Sequence, residues 1–231
     1  MVEGGRDQPQ PAQTRLAAPV GERDHSLGPN DAPITLVEYG DYECPDCGTA
    51  HPVVHELRRR LGDRLRVVFR NFPCPDAHPH AQQAAEAAEA AGAQGKFWEM
   101  HDALFEHFDA LEVADLARYA AELGLDVERF KRDLAEHAYA PRVGEDVDGG
   151  MRSGVNRTPT FFINGVHHGG FFSLPALLEA IEAAASPPAQ AADRSEVGRD
   201  TPAADLASDK VAEASWESFP ASDAPGWRDH A

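Results

Sequence analysis

The distribution of hydrophobic residues divides the chain into three parts. Apolar residues recur with regular periods between about residues 31 and 185. Residues 1–30 lack such periods and are interrupted by Pro, Gln and Gly, which predicts a disordered N-terminal arm. From Ser186 onward Pro, Ala, Ser and Asp dominate, and this composition predicts a disordered acidic tail over 186–231. We therefore expect one folded domain over 31–185.

A βαβ unit opens this domain. Ile34 to Tyr39 is an almost continuous apolar run, which predicts a buried strand. Pro45 to Leu61 places apolar residues on one helical face, and Gly62 ends the predicted helix. Leu65 to Phe72 predicts a second strand, which such a connection makes parallel to the first.

The rest of the domain is first helical and then returns to strands. Residues from about 78 to 153 show helical spacing in five segments: His80 to Ala91, Lys96 to Phe108, Val113 to Leu123, Val127 to Glu136, and Pro141 to about Ser153. Thr160–Ile163 and 166–168 flank Asn164-Gly165, the pair favoured in a two-residue hairpin turn. Leu174 to Ala185 predicts a closing helix. The order predicts an α/β, thioredoxin-like fold (β-α-β, then β-β-α) with a central helical insertion.

Charge and cysteine content restrict the possible functions. The 231 residues carry a formal charge of −18, which argues against a nucleic-acid partner because no basic surface is available for phosphates. No apolar run reaches the length of a membrane span and no secretory leader is evident, so we expect a cytoplasmic protein without a membrane partner. The three cysteines do not suggest a secreted disulfide scaffold.

The residues with the clearest chemistry are Cys44-Pro45-Asp46-Cys47, at the junction between the first strand and its helix. The first thiol of such a motif lies at a helix N-terminus, where free N–H groups favour a thiolate, and the second lies one turn away. This arrangement predicts disulfide exchange. The alternative is half of a zinc site, formed either by Cys44 and Cys47 with His51 or by Cys74 with His78 and His80. The sequence contains no second C-x-x-C to complete it.

Four motifs in order resemble the DsbA-like group of thioredoxin-fold proteins. They are Gly28 to Pro33, Cys44 to Cys47, Phe97 to His101, and Gly154 to Phe161. The similarity covers 26–185 and extends to DsbA-like domains fused to sodium/proton antiporters. It implies a protein-disulfide/dithiol oxidoreductase without a cofactor or metal. Its partners would be disulfide- or thiol-bearing proteins, with a thiol reductant or glutathione supplying electrons.

The resemblance also implies roles for individual residues. Cys44 would attack a disulfide and Cys47 would resolve the intermediate. Thr158-Pro159 would form a loop with a cis peptide bond facing the active site, where a substrate strand can pair. Glu38 matches a buried acid that takes the proton of the resolving thiol. The alternative for Glu38 is a strand residue that faces water.

Two residues between the cysteines are expected to tune the site. Pro45 starts the helix and removes one N–H donor near Cys44. Asp46 stands where strongly oxidising members carry histidine, so its charge predicts a raised Cys44 pKa. We then expect a reduction potential between ~−270 and ~−120 mV, the range from thioredoxin to DsbA.

Two alternatives remain open. Cys74 is predicted to be a free thiol packed at a loop, with a regulatory disulfide as the second possibility. For the whole protein, the alternative to an oxidoreductase is a redox-sensing or partner-binding thioredoxin-fold module with little turnover.

Overall fold

A computed structural model describes residues 14–185, and these form a five-stranded mixed sheet with helices on both faces. The strands are β1 (His25–Leu27), β2 (Ile34–Gly40), β3 (Leu65–Asn71), β4 (Thr160–Ile163) and β5 (Val166–His167). Their order in the sheet is β1-β3-β2-β4-β5. The β2–β3 pair is parallel, as predicted, and the other pairs are antiparallel.

Seven α-helices complete the described residues: α1 (Pro45–Leu61), α2 (Ala81–Gly92), α3 (Phe97–Glu106), α4 (Val113–Glu122), α5 (Val127–Ala135), α6 (Ala140–Arg152) and α7 (Leu174–Ala185). Helices α2 to α6 form the predicted insertion between β3 and β4. The hairpin turn falls on Asn164 and Gly165, which both have positive φ, as this turn requires. The predicted thioredoxin-like fold with a central helical insertion is confirmed.

Side chains of strand β2 pack in two different hydrophobic cores, because successive side chains of a strand point to opposite faces of the sheet. Leu36 packs in a core with residues of α1 and α7. Val37 and Tyr39 belong to a second core on the other face, where Val147 of α6 also packs. The same alternation places Glu38 on the face that carries α1. A buried acid beneath the dithiol helix follows directly from the period of the strand.

The N-terminal region differs from its prediction. Residues 14–30, expected to be disordered, contact the sheet through β1, which pairs with β3, and through a bridge between Arg15 and Val166. Arg70 of β3 binds this segment through Asp24, at 2.7 and 3.0 Å, and through the carbonyl oxygen of Ala18 at 2.9 Å. A three-residue strand has too few positions to show a period, so sequence patterning missed it.

The predicted tail over 186–231, and residues 1–13 of the predicted arm, lie outside the described residues. Within 14–185, no helix combines the length and the apolar character that a membrane span requires.

Candidate active site

The N-terminus of α1 positions the two cysteines. Cys44 is the N-cap residue, with an extended backbone, and Pro45 occupies the first turn. Cys44 Sγ lies 3.5 Å from the carbonyl oxygen of Thr158, and Cys47 Sγ accepts a hydrogen bond from the Asp41 N–H at 3.5 Å. Both cysteines are free and buried. The strand-to-helix junction therefore holds a reduced dithiol against the loop that precedes β4.

The surroundings of Cys44 favour its thiolate. A hydrogen bond from the Cys47 thiol, a side-chain hydrogen bond with Thr158, and the N–H groups of Cys47 and Asp46 together outweigh burial. They lower the pKa of Cys44 from 9.0 to about 5. The charge of Asp46 predicted a raised pKa, whereas the pKa of Cys44 is lowered. The Asp46 carboxylate is exposed to water, and the Asp46 backbone N–H is among the groups that lower the pKa. The effect of the Asp46 charge itself stays a prediction.

Cys47 has the opposite tendency. Burial raises its pKa, and the hydrogen bond to Cys44 and the negative charges of Glu38 and Cys44 raise it further. At neutral pH the pair therefore consists of one thiolate, Cys44, and one thiol, Cys47. Only the Cys44 sulfur is in the nucleophilic form.

Glu38 is buried on the same face of the sheet as the dithiol helix. Its partners in register on the two adjacent strands, Phe69 and Phe161, are both aromatic. Burial, and next the charge of Cys44, raise the pKa of Glu38 from 4.5 to about 8. Its Oε1 has no hydrogen-bond partner among residues 14–185. The alternative of a water-facing Glu38 is wrong, because this side chain is only 4% exposed.

The loop before β4 carries the expected backbone feature. The Thr158-Pro159 peptide bond is cis. Thr158 is buried and its carbonyl oxygen contacts Cys44 Sγ, so the loop lies directly beside the nucleophile.

Asp41 is a structural part of the site that the sequence analysis missed. Its side chain is fully buried and accepts hydrogen bonds from the N–H groups of Glu43 and Cys74, at 2.8 and 2.9 Å. It also bonds His78 Nδ1 at 2.8 Å. This one carboxylate joins the loop before α1 to the loop after β3. An acidic residue directly after a buried strand was the available signal.

Cys74 lies in this second loop as a half-buried free thiol, as predicted. Burial, and then the charges of Asp41 and Cys44, raise its pKa. His78 and His80 bond Asp41 and Glu43 instead of turning toward a cysteine. Within 14–185, the close group of ligand-type side chains is His51, His101 and Asp102, and it contains no cysteine. The cysteine-based zinc alternatives therefore find no support.

A thioredoxin-like sheet with a dithiol at a helix N-terminus beside a cis-proline loop defines the class of DsbA-like proteins. A sequence profile described as thioredoxin matches residues 21–183. The chain belongs to the thioredoxin family.

The crystal structure of BdbD from Bacillus subtilis (oxidised) is similar, with a TM-score of 0.63 and 26% identity over 69% of this chain and 91% of that one. A thioredoxin-like oxidoreductase from Silicibacter pomeroyi DSS-3 has a TM-score of 0.61 and 30% identity, over 71% and 93%. At family level the class is thiol–disulfide oxidoreductase.

The curated relatives are longer proteins. An Na(+)/H(+) antiporter NhaA 1 from Salinispora arenicola is 51% identical over 170 residues, which cover 73% of this chain and 26% of the relative. A protein of the same name from a Mycobacterium species is 48% identical over 178 residues, covering 76% and 29%. The chain thus spans roughly a quarter of the length of these relatives.

These relatives correct the expected location. The protein was expected in the cytoplasm, because its sequence shows neither a membrane span nor a leader. Proteins named as antiporters work across membranes, and they contain a region similar to most of this chain. The inference of a cytoplasmic protein is therefore wrong, because sequence features of the domain alone do not report the setting in which such domains occur.

Proposed function

We propose that this protein exchanges disulfides with protein substrates through Cys44 and Cys47. The observation that carries this proposal is the opposite behaviour of the two thiols. The pKa of Cys44 is lowered to about 5, whereas that of Cys47 is raised. A nucleophilic thiolate next to a protonated partner is the starting state for an attack followed by a delayed resolution.

The proposed reaction has two steps. The Cys44 thiolate attacks one sulfur of a substrate disulfide, forms a mixed disulfide and expels the other substrate sulfur as a thiolate. Cys47 then gives its proton to Glu38 and attacks Cys44 Sγ, which releases the second substrate thiolate. Two electrons pass from the dithiol to the substrate, and two further thiols, such as two glutathione molecules that leave as one disulfide, restore the reduced pair. In reverse, the oxidised pair delivers its disulfide to a substrate dithiol.

The Thr158-Pro159 loop is proposed to hold the substrate. Its position against Cys44 Sγ supports this role, because a strand paired with the backbone of Thr158 would run past the nucleophile. Glu38 is proposed to accept the Cys47 proton. A buried carboxyl with a pKa of about 8 is balanced between its two protonation states near neutral pH.

Turnover of a disulfide-bonded peptide with glutathione as the reductant tests the proposal. Cys44→Ser should abolish turnover, and Cys47→Ser should leave Cys44 trapped in a mixed disulfide with the peptide. Cys74→Ser is the matched control and should retain turnover. Slow turnover in the intact protein, together with tight capture of partners that survives Cys44→Ser, would instead support the redox-sensing or partner-binding module.

We further propose that the substrates include cysteine-bearing proteins of membranes. The support is the occurrence of similar domains in proteins named as antiporters. The full chain with Cys47→Ser, expressed in bacterial cells, should capture mixed-disulfide partners that fractionate with membranes. Recovery of partners from the soluble fraction alone would contradict this choice of substrate.

A further inference from the structure

A cluster of side chains that commonly bind metals lies between α1 and α3. His51 and His55 are four residues apart on α1, one and two turns beyond Cys47, and His101 and Asp102 are adjacent on α3. The ligand atoms of His51, His101 and Asp102 all lie within 4.8 Å of one another. These residues are separate from the cysteines and take no part in the proposed exchange reaction.

The His51–Asp102 separation is close to that between two ligands of one ion. Asp102 Oδ1 lies 3.6 Å from His51 Nε2, and it is hydrogen-bonded to His55 Nε2 at 3.2 Å. Tetrahedral zinc with bonds of about 2.0–2.2 Å places neighbouring ligand atoms roughly 3.3–3.6 Å apart. The His51–Asp102 separation is too long for a hydrogen bond. A shared ion accounts for this distance, whereas a direct hydrogen bond does not.

His101 is held in the orientation that a ligand needs. Its ring is buried, and its Nδ1 lies 3.1 Å from the hydroxyl oxygen of Tyr42. Phe69 and Phe105 pack against the ring, with centroids at 4.6 and 5.0 Å. Nδ1–H can therefore donate to Tyr42, which leaves Nε2 free for the cluster. A partner on the second ring nitrogen is the usual support of a metal-binding histidine.

The cluster encloses a space of suitable size. A cavity of about 10 Å³ is lined by the four side chains, by Arg58 and by Glu38, and it is large enough for a single water molecule or ion. The buried Glu38 Oε1 has no hydrogen-bond partner within residues 14–185, and this residue lines the same cavity. Arg58 opposes a cation, so the affinity must come from the ligand atoms rather than from net negative charge.

We propose that His51, His101 and Asp102 bind one divalent transition-metal ion of the zinc type. Two imidazoles and one carboxylate are nitrogen and oxygen ligands that zinc accepts, with the fourth position left to a water molecule. The ion would join the dithiol helix α1 to helix α3 of the insertion. Because it binds the folded chain, it would also stabilise the fold, and the stabilisation would grow with the logarithm of the ion concentration.

Titration with Zn²⁺ and Co²⁺ tests the site in the full-length protein. The protein is first oxidised, so that Cys44 and Cys47 are joined in a disulfide, and Cys74 is alkylated, so that no thiol is left to bind metal. We expect one ion per chain by calorimetry and, with Co²⁺, the visible absorption of a four-coordinate complex. Added Zn²⁺ should raise the melting temperature.

Variants separate this site from any other. Tyr42→Phe removes the hydrogen-bond partner of the ligand His101 and should lower the affinity for Zn²⁺ by about 10–100-fold. His51→Ala and Asp102→Asn remove direct ligands and should lower this affinity further. His107→Ala, which removes a histidine at the exposed end of α3, is the matched control and should bind normally. Circular dichroism checks that each variant is folded.

Two results would overturn the site. One is the lack of stoichiometric binding by the oxidised, alkylated protein. The other is binding, or stabilisation by Zn²⁺, that His51→Ala and Asp102→Asn leave unchanged, since this would place the ion elsewhere in the chain. Neither result depends on disulfide exchange, which is measured separately with the cysteine variants.

Discussion

Cys44 and Cys47 are separated by two residues, yet their pKa values shift in opposite directions. Cys44 is the N-cap residue of the helix, and the Cys47 thiol and nearby backbone N–H groups lower its pKa. Cys47 lies one turn inside, where burial dominates. We expect the exposed charge of Asp46 to change this balance little, because water screens it. A stabilised reduced form makes a stronger oxidant, so the lowered pKa of Cys44 favours the DsbA end of the expected potential range.

The first prediction concerns this thiolate. Cys44 in the reduced protein should titrate with a midpoint near pH 5. Asp46→Asn should move the midpoint by less than about 0.7 pH unit, since an exposed charge contributes under ~1 kcal/mol. Thiolate absorbance and the pH dependence of alkylation measure it, with Cys44→Ser as the blank. A midpoint near the ordinary thiol value, or a large fall in Asp46→Asn, would restore the original view of Asp46.

A second prediction concerns Glu38. Glu38→Gln keeps the shape of the side chain but removes the proton acceptor, so resolution of the mixed disulfide should slow by about 10²-fold or more. In the unaltered protein this rate should rise as the pH passes about 8, where Glu38 ionises, and in the variant the rise should disappear.

Single-turnover release of a peptide from the Cys44 mixed disulfide measures this rate. Glu99→Gln, a change at a half-exposed position on α3, should leave both the rate and its pH profile unaltered. An unchanged profile in Glu38→Gln would remove Glu38 from the mechanism.

At the scale of the elements, helix α6 shows how small residues set a packing distance. Its Gly150 lies against Tyr39 and Phe72, and a Cβ there would approach the Phe72 ring to 2.7 Å. Gly144 on the same helix has no atom within 4 Å of such a Cβ. The packing therefore requires a glycine at position 150 but not at position 144, although both positions look the same in the helical pattern of the sequence.

The third prediction uses this pair. Gly144→Ala should stabilise the protein by about 0.5–1 kcal/mol, because alanine favours a helix at an open position. Gly150→Ala should destabilise it by about 1–3 kcal/mol through overpacking against the Phe72 ring. Unfolding in denaturant measures the change in the free energy of unfolding of each variant. Equal changes of the same sign in both variants would contradict the close contact at Gly150.

The segment before β2 depends on one ion pair. The side chains of Arg70 and Asp24 are 5% and 8% exposed. Arg70 also bonds the Tyr39 hydroxyl and the Pro19 carbonyl oxygen. This guanidinium satisfies polar groups from both the sheet and the N-terminal segment.

The fourth prediction follows from removing one partner. Asp24→Asn leaves Arg70 buried without its counter-charge and should cost about 3–5 kcal/mol of the free energy of unfolding. Asp31→Asn, at an exposed position of the same segment, should cost little. Chemical denaturation and protease cleavage before β2 measure the effect. A loss below 1 kcal/mol in Asp24→Asn would mean that the pair does not anchor the segment.

At the scale of the whole molecule, the redox state and the stability are linked through Cys44. In the reduced protein its folded pKa of about 5 is below the ordinary value of 9.0, so the unfolded chain holds more protons between these pH values. Stability from this group therefore rises as the pH increases from 5 to 9. Glu38, with a pKa raised to about 8, acts in the opposite direction between pH 4.5 and 8. In the disulfide form Cys44 no longer titrates.

The fifth prediction is a pH-dependent difference between the two redox forms. The stability of the reduced protein minus that of the oxidised protein should increase from pH 5 to pH 8. The buried His101, whose pKa is lowered by burial in a region that both forms share, should largely cancel in this difference. Urea unfolding of both forms at the two pH values measures it. A difference that stays constant with pH would mean that the Cys44 thiolate is not stabilised by the fold.

The elements and the cysteine motif could be predicted from the amino-acid sequence. Helical and strand periods are properties of neighbouring residues, so α1, β2, β3, the hairpin and α7 were predictable, as was a dithiol at a strand-to-helix junction. Other features depend on residues far apart in the chain and follow only from the folded structure. It buried Glu38 between Phe69 and Phe161, and it anchored the N-terminal segment through Arg70. It also set His101 near His51 and placed Thr158 against Cys44. These contacts change charge and solvation, and no local pattern encodes them.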